Sequence, residues 1–252
     1  MVNRIEGLTV DIAVRRRGTH TVRVLDGVDL DVPAGRVTAL IGESGCGKSL
    51  VAAALSGLMP PGSRVSGRIL LGGNQIAHDD ENAWRRLRGS RVGLVPQSAA
   101  TSFTPVRTVG AQLGEVCERL AADRTPAQLC AAVALPADAL RRYPHELSGG
   151  MAQRAAIAAA IAGRPGLLLA DEPTSALDPE NAAVIWRLLG AAAADGAAVL
   201  VITHDMPSLL RAAVCADVAV MAKGVVRRQL PLDEALAGDD PYTQAMLREV
   251  PA

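Results

Sequence analysis

Residues 37–49, VTALIGESGCGKS, place glycines, a lysine and a serine at a spacing suited to binding phosphate. Gly42 is followed by four residues and then by Gly47, Lys48 and Ser49, the pattern of a phosphate-binding loop. Glycines let such a loop turn its backbone N–H groups inward, the lysine reaches the β- and γ-phosphates, and the hydroxyl ligates Mg²⁺. The apolar run before it and the helix-forming residues after it favour this interpretation over a plain glycine-rich turn. The predicted nucleotide-binding residues are Gly42, Glu43, Ser44, Gly45, Cys46, Gly47, Lys48, Ser49 and Leu50.

Lys48 is one of only two lysines among the 26 basic residues, and the other is Lys223. Arginine therefore serves nearly everywhere that a general positive charge is needed. A lysine kept inside the loop indicates a compact ammonium group closely surrounded by phosphate, a geometry that a planar guanidinium fits poorly.

Two adjacent carboxylates follow a second apolar run, in GLLLADEPTSALD at residues 166–178. Leu167 to Ala170 is typical of a buried parallel strand, and Asp171 and Glu172 come directly after it. An isolated pair of this kind is usually only a solvated strand end. Together with a phosphate loop, it predicts that Asp171 holds Mg²⁺ through water and that Glu172 orients and deprotonates an attacking water molecule.

The four cysteines, Cys46, Cys117, Cys130 and Cys215, are scattered without a CxxC pair. This argues against a zinc site or a disulfide framework and favours a reducing compartment. Cys46 lies within the loop beside a predicted helix N-terminus, where thiolate is favoured. We therefore expect Cys46 to react with alkylating reagents in the nucleotide-free protein and to be protected by Mg-ATP.

Composition excludes several classes of function. The chain has 252 residues, 49% of them hydrophobic, which is ample for a large core. Basic and acidic residues both number 26, so no overall positive field attracts nucleic acid. The first residues, MVNRIEGLTV, lack the apolar core of a secretion signal, and no apolar run approaches the length of a membrane span. We expect a cytoplasmic protein that does not bind nucleic acid.

A second anion-binding element is predicted at residues 147–154, LSGGMAQR. A serine and two glycines precede an Ala/Ile run of good helix propensity, so bare N–H groups at the start of a helix would face an anion. By itself this string is most often only a capped helix.

The order of these motifs carries a family resemblance. The phosphate loop, LSGGM, LLLADEP, SALD and ITHD follow one another, and the chain resembles the ATPase subunit of ATP-binding cassette (ABC) transporters over essentially its whole length. The resemblance implies hydrolysis of ATP with Mg²⁺. It also implies that Gln97 senses Mg²⁺ and the attacking water, that His204 contacts the γ-phosphate, and that Asp178 lies in a loop that crosses to an opposing subunit.

The resemblance further implies an assembly. Two ATPase subunits, identical or paralogous, would pack head to tail, so that Ser148, Gly149 and Gly150 cap the ATP lying on the partner's phosphate loop. Hydrolysis would then loosen this clamp, because the helix N-terminus loses the γ-phosphate that it faces. Two transmembrane permease subunits and an extracytoplasmic solute-binding protein would complete a transporter, with this chain peripheral on the cytoplasmic face of the membrane.

The expected fold is α/β, with a P-loop NTPase core around a parallel sheet, all within one domain over residues 1–252. Alternating residues predict an antiparallel β lobe over about 1–36 and 64–76. The Ala-rich, Pro-punctuated stretch at about 98–163 predicts an inserted helical lobe, and residues 225–252 a C-terminal appendage.

Three stretches resemble one branch of the family, the importers of peptides and nickel: SFTPVRTVGAQL at 102–113, YPHELSGGM at 143–151 and DPYTQAML at 240–247. Thr104 and Asp240 depart from the asparagine and histidine usual there. The expected cargo is an oligopeptide or dipeptide, or nickel or a metal chelate. The alternatives are a stand-alone ABC-type ATPase in assembly or regulation, and a DNA-repair type, which is disfavoured because no sustained heptads indicate a coiled-coil insertion.

The chain lacks the aromatic residue on which members of this family usually stack the adenine base. Family members stack adenine on an aromatic residue of the β lobe, but residues 1–83 contain no Phe, Tyr or Trp. His20 or one of Arg15, Arg16 and Arg17 is the candidate for stacking, and a solvated basic loop is the alternative.

Overall fold

Two β-sheets organise the computed structural model, which describes residues 2–15, 19–175 and 177–248. The strands are β1 (Val2–Arg15), β2 (Thr19–Pro33), β3 (Val37–Gly42), β4 (Ser63–Leu71), β5 (Asn74–Ile76), β6 (Val92–Val95), β7 (Leu167–Asp171), β8 (Ala198–Ile202), β9 (Asp217–Ala222) and β10 (Val225–Pro231). One sheet has four strands in the order β2-β1-β4-β5, and the other has six in the order β10-β9-β3-β8-β7-β6.

The six-stranded sheet forms the centre of the fold. Its strands β9, β3, β8, β7 and β6 pair in parallel, and every residue of β3 and β8 is buried. Helices cover both faces of such a sheet, which explains why these strands are continuous apolar runs rather than alternating ones. Because parallel strands end at the same edge, the loops after β3, β7 and β8 meet there.

The helices follow or connect these strands. They are α1 (Lys48–Ser56), α2 (Glu81–Leu87), α3 (Ala99–Ser102), α4 (Val109–Arg119), α5 (Pro126–Ala132), α6 (Gly149–Ala160), α7 (Pro179–Ala194), α8 (Met206–Ala212), α9 (Leu232–Ala237) and α10 (Pro241–Arg248). Within residues 2–15, 19–175 and 177–248, none of them combines the length and apolar character needed to cross a membrane.

The predicted lobes coincide with groups of these elements. The antiparallel sheet occupies the predicted β lobe, where β1 and β2 form a long hairpin paired from Val2 with Pro33 to Arg15 with Thr19. Helices α3 to α6 and two short 3₁₀ segments occupy the predicted helical lobe.

The C-terminal region differs from a simple appendage. Its first part is β10, which pairs with β9 in antiparallel fashion and extends the central sheet. A two-residue turn makes this possible, since Lys223 and Gly224 both have positive φ, at 48° and 81°. Such a turn matches the twist of the strands it joins. The remainder forms α9 and α10.

Candidate nucleotide site

The phosphate loop bridges the end of β3 and the start of α1. Gly42 is the last residue of β3, Gly47 is the N-cap of α1, and Lys48 begins the helix. The Lys48 ammonium donates hydrogen bonds to the carbonyl oxygens of Gly42 and Glu43, at 2.7 and 2.9 Å. The loop therefore curls around its own lysine and directs the free N–H groups of the helix N-terminus outward.

Two glycines of the loop have conformations that a side chain would prevent. Gly42 has φ 152°, and a Cβ there would lie 2.1 Å from the Met221 carbonyl oxygen. Gly47 has φ 109°, and a Cβ there would lie 2.7 Å from a Leu25 methyl group. Strand β9 and strand β2 thus hold the loop from two sides, which requires glycine at both positions.

A cleft of about 290 Å³ lies over the loop. It is lined by Ser44, Gly45, Gly47, Lys48, Ser49, Leu50, Gln97, Asp171, Glu172 and Ile202. Six of the nine predicted loop residues, both predicted carboxylates and Gln97 are therefore brought together, as expected for residues that follow parallel strands of one sheet. Of the loop residues, all of which the structure describes, Gly42, Glu43 and Cys46 are not part of the lining.

Asp171 is a partly buried carboxylate in the lining of this cleft. Burial raises the pKa of its carboxyl group, and the Ser49 hydroxyl and the Lys48 charge oppose that rise. In the described part of the chain, its buried Oδ1 has no hydrogen-bond partner. An unpaired buried carboxylate oxygen beside a serine hydroxyl fits Mg²⁺, which typically takes one or two protein ligands and completes its shell with water and substrate phosphate.

Glu172 is held in an uncommon backbone conformation. Its φ is 47°, in the left-handed region that residues other than glycine rarely adopt. Its N–H donates to the Ile202 carbonyl oxygen at 2.8 Å, which ties it to the end of β8. Strained residues of this kind concentrate at functional sites, where the surrounding structure enforces them.

His204, two residues beyond β8, pairs with Glu172. His204 Nδ1 lies 2.8 Å from Glu172 Oε2. The glutamate side chain is 13% exposed and the histidine side chain 46% exposed. Sequence reasoning placed both residues at the site but did not predict their contact.

The LSGG segment lies elsewhere on the chain. Ser148 is the N-cap of α6 and accepts a hydrogen bond from the Met151 N–H at 3.3 Å. Ser148 and Gly149 are exposed. Among the described residues, the lining of the cleft includes none of Ser148, Gly149, Gly150 and Asp178.

Asp178 is connected to the LSGG segment by Asn181, a residue that was not predicted from the sequence. Asp178 is the N-cap of α7, and its carboxylate accepts hydrogen bonds from the N–H and the side-chain amide of Asn181, at 2.9 and 2.7 Å. A Cβ at Gly150 would lie 2.6 Å from Asn181 Oδ1. Asn181 therefore packs the starts of α6 and α7 together. The three-residue spacing from Asp178 was the available signal, since N-cap side chains bond to the third residue of a helix.

The expected reactivity of Cys46 is wrong. Its side chain packs into the core beneath the loop and the residue is 7% exposed. Burial raises the pKa of the thiol, and the nearby Lys48 only partly opposes the rise. The thiol is therefore largely shielded from solvent, and its raised pKa favours the protonated form.

The side chains predicted to stack on adenine lie outside the part of the chain that the structure describes. Arg16 and Arg17 lie outside the described residues, as do the side chains of Arg15 and His20.

Comparison with known proteins places the chain among transport ATPases. A sequence model of the ABC transporter family matches residues 25–175, more than half of the chain. The chain is 38% identical over 254 residues to the probable peptide ABC transporter ATP-binding protein y4tR of Sinorhizobium fredii, covering 96% of this chain and 75% of that protein.

Two oligopeptide transport ATP-binding proteins named OppD are also similar. That of Lactococcus lactis is 34% identical, over 99% of this chain and 76% of its own length. That of Mycobacterium tuberculosis is 40% identical over 96% of this chain, and the chain spans only 41% of its length.

Among solved structures, the chain is similar to the dimeric post-hydrolysis state of the ATP-binding cassette MJ0796 bound to ADP and Pi. The TM-score is 0.78 with 26% sequence identity, covering 92% of this chain and 99% of that one. The predicted α/β fold, the ATPase activity, and ATP and Mg²⁺ as ligands are thereby confirmed. The chain belongs to the ABC transporter family, as one of its ATP-hydrolysing subunits.

Proposed function

We propose that this chain powers a peptide importer, as a peripheral subunit on the cytoplasmic face of the membrane. The observation that carries the proposal is the separation of two half-sites on one chain. The cleft holds Lys48, Asp171 and Glu172, whereas the exposed Ser148 lies outside it. The peptide and oligopeptide transport named in the relatives favours peptides over nickel as the cargo.

The loop binds the triphosphate. The Lys48 ammonium and the loop N–H groups contact the β- and γ-phosphates. Ser49, Asp171 and Gln97 are the residues that would hold Mg²⁺. When bound, the ion neutralises charge on the β- and γ-phosphate oxygens and so favours phosphoryl transfer.

The hydrolytic step depends on Glu172 and His204. Glu172 accepts a proton from the attacking water, and its carboxylate is aimed by the 2.8 Å contact with His204. His204 is exposed enough to reach toward a γ-phosphate above the cleft. Gln97, on the rim of the same cleft, orients the water and connects the site to the helical lobe that begins directly after it.

The second half-site acts on the partner. Two copies, or this chain and a paralogue, pack head to tail, and Ser148, Gly149 and Gly150 cap the nucleotide of the opposite subunit. Asp178 crosses to the same partner. Loss of the γ-phosphate removes the anion between the subunits and opens the dimer, which moves the two permease subunits. A solute-binding protein delivers the peptide from outside.

Uptake by intact cells tests the cargo and the assembly together. Cells lacking this chain are expected to lose uptake of a labelled oligopeptide while keeping ⁶³Ni²⁺ uptake. Wild-type chain restores peptide uptake, and Glu172→Gln does not. Tagged wild-type chain is expected to retain two permease subunits during purification in detergent. Normal peptide uptake without the chain, or purification without permeases, contradicts the proposal and favours a stand-alone ATPase.

A further inference from the structure

The last helix of the described chain is anchored through its first turn by two sets of hydrogen bonds. Asp240 accepts hydrogen bonds from the Thr243 N–H at 2.9 Å and from the Thr243 hydroxyl at 2.6 Å, which fixes the start of α10. The Gln244 amide donates to the carbonyl oxygens of Ala235 and Gly238, at 2.9 and 2.8 Å, and so ties α10 to the end of α9. This geometry explains the DPYTQ string locally, except for its tyrosine.

Tyr242 points from α10 toward the central sheet. Its hydroxyl donates to the Met221 carbonyl oxygen at 3.2 Å. The Arg227 guanidinium carbon lies 5.5 Å from the centre of its ring, within the range of a cation–π contact. The ring therefore packs between α10 and β10, and its hydroxyl reaches β9.

The Met221 carbonyl also lies against the start of the phosphate loop. Met221 pairs with Gly42 in the β3–β9 register, and a Cβ at Gly42 would lie 2.1 Å from the Met221 oxygen. Glu43 lies near the phenol as well. Burial and the Glu43 carboxylate raise the pKa of Tyr242, while the Glu43 backbone N–H acts in the opposite direction.

The start of the loop is thus held from two sides. On the inside, Lys48 binds the carbonyl oxygens of Gly42 and Glu43. On the outside, Tyr242 binds the Met221 carbonyl against which Gly42 rests. Both contacts act on the backbone of Gly42, one directly and the other through the Met221 carbonyl.

We propose that Tyr242 is a positioning residue for the phosphate loop, which holds Gly42 and Glu43 through the Met221 carbonyl and so sets the affinity for Mg-ATP. The C-terminal helix thereby contributes to nucleotide binding without touching the nucleotide. The inference concerns ATP binding alone and holds whatever the transporter carries.

The variant that tests it is Tyr242→Phe, which removes the hydroxyl and keeps the ring. In titrations of the purified chain with a fluorescent ATP analogue and Mg²⁺, the Kd is expected to rise about three- to tenfold, the effect of one neutral hydrogen bond. In the assembled transporter, the KM for ATP is expected to rise similarly while kcat stays within about twofold, since Tyr242 does not contact the reacting atoms.

Two control variants distinguish positioning of the phosphate loop from stabilisation of α10. Asp240→Ala removes the cap of α10 and leaves the hydroxyl intact, so its main effect is a lower Tm. Tyr143→Phe alters the chain's other tyrosine, which is exposed in the helical lobe, and should leave the Kd unchanged. The proposal is overturned if Tyr242→Phe leaves the Kd within about twofold of wild type, or if its Tm falls as far as that of Asp240→Ala while kcat and KM change together.

Discussion

Glu172 and His204 are joined across two neighbouring strands of the central sheet, with Oε2 and Nδ1 2.8 Å apart. Asp171 and Ile202 face each other in the parallel β7–β8 register, so Glu172 lies one residue and His204 two residues beyond this pair. The histidine thus fixes the carboxylate that would act as base. Each residue of the pair yields a separate prediction.

Replacement of Glu172 by Gln should keep Mg-ATP binding and lower turnover by about 100-fold or more, because the general base is lost while its shape is kept. The ATP-bound dimer should accumulate, which size-exclusion chromatography with Mg-ATP measures. Near-normal turnover of Glu172→Gln would remove this residue from its assigned role.

Replacement of His204 by Ala should lower turnover by about tenfold or more, because the Glu172 carboxylate loses the group that orients it. The matched control is His78→Ala, an exposed histidine in a turn before α2, which should retain wild-type turnover. Equal activity of the two variants would contradict an orienting role for His204.

Asp171 should show a trade-off between stability and function. Burial raises the pKa of its carboxyl group, so the folded chain binds this proton more tightly than the unfolded chain. The contribution of this group to the free energy of unfolding therefore falls as pH rises from the ordinary pKa through the raised one. At neutral pH the buried charge of Asp171 still destabilises the fold. Asp171→Asn removes the charge, and the Tm of the nucleotide-free protein should rise by about 2–4 °C.

The same variant should lose most of the thermal stabilisation that Mg-ATP gives to wild type, because a metal-binding oxygen is gone. The control is Asp178→Asn, an exposed helix cap whose pKa is lowered by its hydrogen bonds with Asn181, so neutralising it should not raise the Tm. If Asp171→Asn had a lower Tm than wild type and the same rise in Tm on adding Mg-ATP, neither the destabilising charge nor the metal-binding role of Asp171 would hold.

Cys46 should resist alkylation whether or not nucleotide is present. Burial raises the pKa of both the Cys46 and the Cys117 thiol, but Cys46 is 7% exposed whereas Cys117 is partly exposed on α4. Brief treatment with a maleimide, followed by peptide mass spectrometry, should therefore label Cys117 before Cys46. Fast labelling of Cys46 that Mg-ATP blocks would show that the loop opens much further than this structure does.

Substitutions in the two half-sites should differ in their effect on the nucleotide affinity of the monomer. Lys48→Ala removes a phosphate contact in the chain's own cleft, and its monomer should bind a fluorescent ATP analogue more weakly. Ser148→Arg places a bulky charge on the exposed cap, so its monomer should bind normally. Both variants should depress turnover in the assembled transporter. A Ser148→Arg monomer that no longer binds ATP would show that the cap serves its own subunit.

Much of the site could be predicted from the sequence, because its parts are local. The glycine spacing of residues 42–47 encodes a backbone path that few other residues permit, and Lys48 and Ser49 follow at fixed distance along the chain. Asp171 and Glu172 follow an apolar run that is typical of a buried parallel strand. Parallel strands then bring these segments to one edge of the sheet.

The tertiary structure decided what depends on strand order and on packing between distant segments. Strands β7 and β8 are neighbours, which brings Glu172 to His204, and no local pattern encodes that distance. Cys46 sits within the loop in sequence, yet its side chain turns into the core because β2 and β9 hold the loop backbone on both sides. Likewise α10, nearly two hundred residues after the phosphate loop, reaches it only because β9 lies beside β3 and presents the Met221 carbonyl to Tyr242. Residue types and short spacings therefore determined the chemistry, and long-range packing, whose contacts depend on the whole chain, decided which groups restrain one another.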